Sequence, residues 1–216
     1  MATGAFTPAE IDGFFAALAA RDPAPVTELA YRNPFTLLVA VVLSAQATDA
    51  GVNKATRSLF AVADTPAAMA ALGEGGIARH IRTIGLFNTK ARNVAALSRL
   101  LVERHGGEVP RDRALLEELP GVGRKTANVV LNVAFGLPTI AVDTHIFRVG
   151  NRTGLARGKT PRAVEDALER VVPARWKQHC HHWLILLGRY VCKARRPDCP
   201  ACPVRDFCRY AAEAAG

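Results

Sequence analysis

Leu119-Pro120-Gly121-Val122-Gly123-Arg124-Lys125-Thr126-Ala127-Asn128 is the stretch whose reading decides the fold. A helix arriving at Leu119 meets Pro120, whose ring cannot continue it. Gly121 and Gly123 allow a tight turn and leave backbone N–H groups exposed. A second helix then starts near Arg124. Its N-terminus combines unpaired N–H donors with the positive end of the helix dipole, which suits a phosphate. The pattern is helix–hairpin–helix. Such a turn grips a nucleic-acid backbone and reads no base sequence. Gly121, Gly123 and Arg124 are the backbone-contact residues it implies.

The second helix of the hairpin sorts its side chains. Lys125, Asn128 and Asn132 fall at i, i+3 and i+7 and share a face. Ala127, Val130, Leu131 and Ala134 take the broad apolar side. A lysine in the first turn sits against the positive dipole end of the helix. A neutral amine is a nucleophile. The alternative is that Lys125 is one more cation on a phosphate. Downstream, Gly136-Leu137-Pro138-Thr139-Ile140-Ala141-Val142-Asp143-Thr144-His145 puts Asp143 just before an apolar-periodic stretch. There it reads as a helix N-cap. Its other reading is an acid that handles protons or stabilises a developing sugar cation beside an attacking amine.

Outward from the hairpin the reading is helical. Thr7-Pro8-Ala9-Glu10 gives a cap, a first-turn proline and an acid three residues after the cap. Ile11, Phe14, Phe15 and Leu18 follow at helical spacing. Asn33-Pro34 marks a second start. Further helices are expected around Ala67–Leu72, Ala91–Glu103, Arg113–Leu119, Lys125–Ala134, Thr144–Arg152, Pro161–Val171 and His179–Cys192. No strand alternation, repeat or low-complexity linker is visible. The fold class is therefore all-α, with about nine or ten helices.

Composition bounds the function. Half of the 216 residues are hydrophobic, which argues against disorder and gives enough chain to bury a core. The longest apolar run, Leu37 to Leu43, is about seven residues, against about 20 for a membrane span. The N-terminus carries Glu10 and Asp12 and no basic cluster before its apolar stretch, so a secretory signal is not indicated. The net charge of +9 favours a polyanionic partner, nucleic acid first among them, though a basic enzyme of any kind also fits.

Of five cysteines, four crowd near the C-terminus: Cys192, Cys199, Cys202 and Cys208, spaced C-x6-C-x2-C-x5-C. Without a secretory signal, metal binding is favoured over disulfides. Four thiolates can hold an iron–sulfur centre or a structural zinc, and the spacing alone leaves both open. Cys180 is left over and reads as a buried thiol. Arg195 and Arg196 lie between the first two ligands, where a metal-tethered loop would hold them toward phosphates.

The hairpin, the segment P-T-I-A-V-D-T-H-I-F-R-V, the stretch Cys180-His181-His182-Trp183-Leu184 and the segment Val42-Leu43-Ser44-Ala45-Gln46-Ala47-Thr48-Asp49 together resemble the endonuclease III family. The matches run in family order over nearly the whole chain. The resemblance implies a helix–hairpin–helix DNA glycosylase fold of two helical domains with a DNA-binding groove between them. Residues 27–137 would form a six-helix barrel domain. Residues 1–26 plus 138–216 would form the cluster domain, with a [4Fe–4S] cluster on the four cysteines. Lys125 matches the family's Schiff-base lysine and Asp143 its catalytic acid. The implied activity is excision of oxidised pyrimidines from duplex DNA, followed by β-elimination at the abasic site. The nucleotide must first be flipped out. Gln46 and Leu86 match the residues that fill the vacated stack. Without the resemblance, Leu86 reads as core packing. Arg148 is placed near the cluster by the same analogy. Damaged duplex DNA as partner, a monomeric state and a cytoplasmic, nucleoid-associated location follow likewise. An adenine-mismatch glycosylase shares scaffold and cluster but typically lacks the hairpin lysine and carries an extra C-terminal domain. A non-catalytic helix–hairpin–helix module would not need Lys125 and Asp143 together.

Overall fold

Helix boundaries follow capping chemistry. The computed structural model describes residues 5–214; among them all regular structure is helical, with no strand. By packing, Thr27–Leu137 form one unit, and the described residues up to Val26 together with those from Pro138 onward form another.

In the first unit, α2 (Pro34–Leu43) is the central rod. Asn33 caps it, accepting from Thr36 N at 2.8 Å, while Thr36 Oγ1 accepts from Asn33 N at 3.0 Å. Every residue from Phe35 to Leu43 is buried, as expected of a helix that is apolar all round. It packs against α3 (Asp49–Val62), α5 (Phe87–His105) and α7 (Arg124–Phe135). Helix α4 (Pro66–Ile81) lies along α5 and breaks at Gly73, whose φ of 68° belongs to no right-handed helix. The short α6 (Arg113–Glu117) leads into the hairpin.

The second unit joins the two ends of the chain. Helix α1 (Pro8–Arg21) has the expected capping box: Thr7 N donates to Glu10 Oε2 at 2.7 Å and Glu10 N to Thr7 Oγ1 at 3.2 Å. Phe14, Phe15 and Leu18 of α1 share a core with Ile146 and Val149 of α8 (Thr144–Thr153), Leu168 of α9 (Pro161–Val171) and Trp183 of α10 (Ala174–Leu186). Phe15, Trp176 and Trp183 form an aromatic triangle with centroids 5.8–6.4 Å apart. Both indoles find acceptors on the first helix or its end: Trp176 Nε1 on Asp12 Oδ1 at 2.6 Å and Trp183 Nε1 on Asp22 O at 2.7 Å. A π-helical turn (Leu187–Val191), a 3-10 turn (Arg205–Phe207) and α11 (Arg209–Ala214) complete the unit.

Three departures from the sequence reading have physical reasons. Helix α3 was not expected, although Thr48 caps it and Val52, Ala55, Thr56, Leu59 and Phe60 make its buried stripe. Asp49, Asn53, Lys54, Arg57 and Ser58 are interleaved with that stripe and dilute it. Helix α10 starts five residues before His179, directly after Pro173. The expected stretch to Cys192 changes into the π turn, with Cys192 N bonded to Leu187 O at 2.7 Å.

The last helix is tied to the first through one buried cation. Arg209 donates to both carboxylate oxygens of Glu10, at 2.8 and 3.0 Å, and lies over the Phe6 ring at 4.3 Å from its centroid. The Arg209 hydrogen bonds, with help from the Thr7 backbone, hold the Glu10 carboxyl down at about 2, against 4.5 ordinarily. A depressed carboxylate stabilises the fold above the unfolded pKa and loses that contribution as pH falls through the folded one. Glu10→Gln keeps the capping box but removes the charge. In denaturant unfolding, the stability gap between wild type and Glu10→Gln should close as pH drops from about 4.5 to about 2; a gap that stays constant would refute the ion pair's role.

Candidate functional site

The hairpin forms as its residues require. Gly121 has φ +81°, a left-handed turn conformation that favours glycine, and a Cβ there would also press on the Asn93 side chain, 2.9 Å from its Nδ2. Val122 N donates to Leu119 O at 3.0 Å, closing the turn. Gly123 is the N-cap of α7 and supplies no side-chain cap. The α7 N-terminus is therefore not capped by the side chain of its N-cap residue, as Thr, Asn or Asp caps its neighbours. Arg124 and Lys125 are the first two residues of this helix, and Lys125 is exposed. Asn128 and Asn132, placed on the same helical face by spacing, are buried instead. Only the first turn of that face reaches solvent.

Gln46 and Leu86 lie in the same unit, both exposed, with φ of +54° and +58°. Leu86 is 61% exposed, which removes the core-packing reading for this side chain. Its left-handed backbone makes it the N-cap of α5 without a side-chain bond. Among the described residues, three non-glycine positions have positive φ: Gln46, Leu86 and Arg196. All three are residues singled out for DNA contact from the sequence. Such conformations cost about 1–3 kcal/mol each and persist where the surroundings enforce them, often at functional sites.

In the other unit, Asp143 is the N-cap of α8. Its Oδ1 accepts from His145 N at 2.9 Å and Ile146 N at 2.8 Å. Both cap bonds fall on one oxygen, so Oδ2 is not spent on the helix. The cap reading of this residue is correct, and it leaves half of the carboxylate for other work. Arg195 and Arg196 are exposed in the loop after Cys192.

Cys192, Cys199, Cys202 and Cys208 are free thiols lining one cavity with Leu187, Val191 and Tyr210. Among the described residues no three His, Cys, Asp or Glu side chains converge on one ion. Burial, and in second place the neighbouring cysteines, pushes the Cys202 and Cys208 thiols up. An iron–sulfur core supplies the positive charge that lets such thiols ionise together. The donor set thus fits a multinuclear cluster. Cys180 is fully buried, and burial raises its thiol pKa far above the reactive range.

Comparison with known proteins agrees. Residues 39–174 match the model of the HhH-GPD superfamily of base excision DNA repair proteins, and residues 192–208 match the iron-sulfur binding domain of endonuclease III. The endonuclease III of Escherichia coli (strain K12) is 62% identical over 189 residues, covering 88% of this chain and 90% of that protein. The chain belongs to the endonuclease III family. The Rickettsia conorii endonuclease III is 56% identical over 200 residues, covering 93% and 95%. A trapped covalent endonuclease III–DNA intermediate superposes with a TM-score of 0.89 at 46% identity, covering 98% of this chain and 100% of the other. A thermostable thymine-DNA glycosylase superposes at 0.83 with 25% identity, covering 95% and 98%. Like other endonuclease III proteins, this chain is a base-excision repair DNA glycosylase with abasic-site lyase activity and a [4Fe–4S] cluster. Among the described residues no helix is long and apolar enough to cross a membrane.

Of the two arginines that support the cluster loop, Arg148 was placed near the cluster by resemblance, whereas Arg152 was missed. Arg148 donates from Nε to Cys192 O at 3.0 Å and from Nη2 to Gly188 O at 2.7 Å. Arg152, one turn further along α8, donates to Lys193 O at 2.7 Å and Ala194 O at 3.2 Å. The i, i+4 spacing of two arginines was a visible signal; their distant partners were not.

The two uses of Asp143 are separable by substitution. Asn caps as well as Asp, whereas Ala does not. Asp143→Ala should lower unfolding free energy by about 1 kcal/mol and Asp143→Asn by close to nothing. Equal losses in both variants, measured by urea unfolding of the holoprotein, would contradict the cap geometry.

Proposed function

We propose that this endonuclease III family member removes oxidised pyrimidines from duplex DNA, with Lys125 as nucleophile and Asp143 as its acid–base partner. The exposed lysine in the first turn of α7, directly behind an uncapped glycine hairpin, carries the reading. The hairpin N–H groups and Arg124 take a DNA phosphate, which sets the register of the strand against α7. Gln46 and Leu86 enter the stack from exposed, left-handed backbone positions as the damaged nucleotide leaves it. A leucine at 61% exposure is costly to leave in water and suits an apolar wedge. The trapped covalent DNA intermediate of a similar endonuclease III supports a covalent route.

The chemistry needs one neutral amine and one carboxylate. The Lys125 Nζ lone pair attacks C1′ of the extruded nucleotide. The glycosidic C–N bond breaks, and its electron pair leaves with the base, which takes up a proton. The Asp143 carboxylate stabilises positive charge on the sugar and accepts the proton that the attacking nitrogen sheds. The sugar ring opens at O4′ to an iminium linkage with Lys125. That linkage acidifies C2′–H; loss of this proton expels the 3′ phosphate and breaks the strand. Water then hydrolyses the imine and frees the lysine. Arg195 and Arg196 add backbone contacts. A monomer suffices, since these roles are filled within one chain.

Borohydride should trap a covalent adduct between the protein and duplex DNA carrying thymine glycol. Lys125→Gln should abolish that adduct, and its persistence would assign the chemistry to another amine. Asp143→Asn should bind the same DNA with near wild-type affinity while turnover falls by about 10²–10⁴-fold; loss of binding instead would make Asp143 architectural. Arg196→Ala should weaken binding to all sequences alike and reduce the slope of log affinity against log salt by about one. An unchanged slope would remove Arg196 from the interface.

A further inference from the structure

Arg152 has a third partner besides the carbonyls of Lys193 and Ala194. Its Nη1 lies 3.6 Å from Cys192 Sγ, within reach of an N–H···S hydrogen bond. The guanidinium also stacks on the Tyr210 ring, 5.3 Å from its centroid. Tyr210 follows the last ligand, Cys208, by two residues. One side chain therefore touches the segments that carry the first and the last cysteine, and it lines the same cavity as all four thiols. Arg148 differs: its bonds to this region go to the carbonyl oxygens of Cys192 and Gly188. Of the two arginines, Arg152 is the one that reaches sulfur.

We propose that Arg152 is a tuning residue for the iron–sulfur cluster, fixing its charge balance and its retention through Cys192 Sγ. An N–H donor on a ligand sulfur withdraws electron density from it, and the effect is stronger in the reduced, more negative cluster. A fixed positive charge beside the sulfur acts in the same direction. Arg152 thus raises the reduction potential and opposes extraction of iron from the Cys192 side of the cluster by a chelator. The planar fork matters, because one guanidinium serves a sulfur and two carbonyls at once. A lysine keeps the charge but not this geometry.

The test uses the purified holoenzyme and two variants, Arg152→Met and Arg152→Lys. Iron content, the rate at which an iron chelator bleaches the visible absorbance, and the reduction potential are measured on each. Arg152→Met is expected to bleach about 10–100-fold faster and to have a more negative potential. Arg152→Lys should shift both quantities the same way by a smaller amount. Faster bleaching with an unchanged potential would reduce Arg152 to a mechanical clamp and overturn the proposal. Wild-type bleaching in Arg152→Met would overturn it as well. If Arg152→Met assembles no cluster, the potential of Arg152→Lys decides: a negative shift supports the assignment and none refutes it.

Discussion

The first turn of an α-helix leaves backbone N–H groups without intrahelical partners, and the helices that carry the two residues proposed to react, Lys125 and Asp143, treat them in opposite ways. At α8 the Asp143 carboxylate occupies two of them with a single oxygen. At α7 the cap position is Gly123, which has no side chain to offer. The one arrangement neutralises the helix end and orients an acid. The other leaves the end electropositive, beside Lys125, the proposed nucleophile. The apolar rod α2 stands behind α7, and the aromatic core around Phe15 and Trp183 stands behind α8.

How much of this was legible depended on how local the signal was. The box at Thr7 and Glu10, the Asn33-Pro34 start and the glycine hairpin are written within a few adjacent residues, and they appear where expected. Helix α3 has an equally good cap in Thr48, but its buried stripe is diluted by polar neighbours. The left-handed backbone at Gln46, Leu86 and Arg196 leaves no trace in composition, because these side chains ordinarily avoid it. The burial of Asn128 and Asn132 was equally hidden, since helical spacing gives a shared face but not what lies against it.

The cysteine spacing shows the same limit. C-x6-C-x2-C-x5-C is compatible with zinc or iron–sulfur by spacing; the structure adds that the four thiols line one cavity, and the match to the iron-sulfur binding domain of endonuclease III decides for the cluster. The residues that steady this loop lie about 40 positions upstream, on α8, and only the tertiary structure brings them there. The unit is also closed late: α1 finds its partners on α10 and α11 after nearly the whole chain has been made. Such long-range closure slows folding relative to a bundle of sequential contacts.

Three exposed side chains on strained backbone have an evolutionary corollary. Replacing Gln46, Leu86 or Arg196 by glycine relieves a conformational cost of about 1–2 kcal/mol at each site. A laboratory selection for thermal robustness alone would drift toward glycine there. It would arrive at a sturdier protein that has surrendered the very side chains proposed to meet DNA. Persistence of bulky residues at such backbone angles is thus the kind of mark that selection for activity, rather than for durability, leaves on a chain.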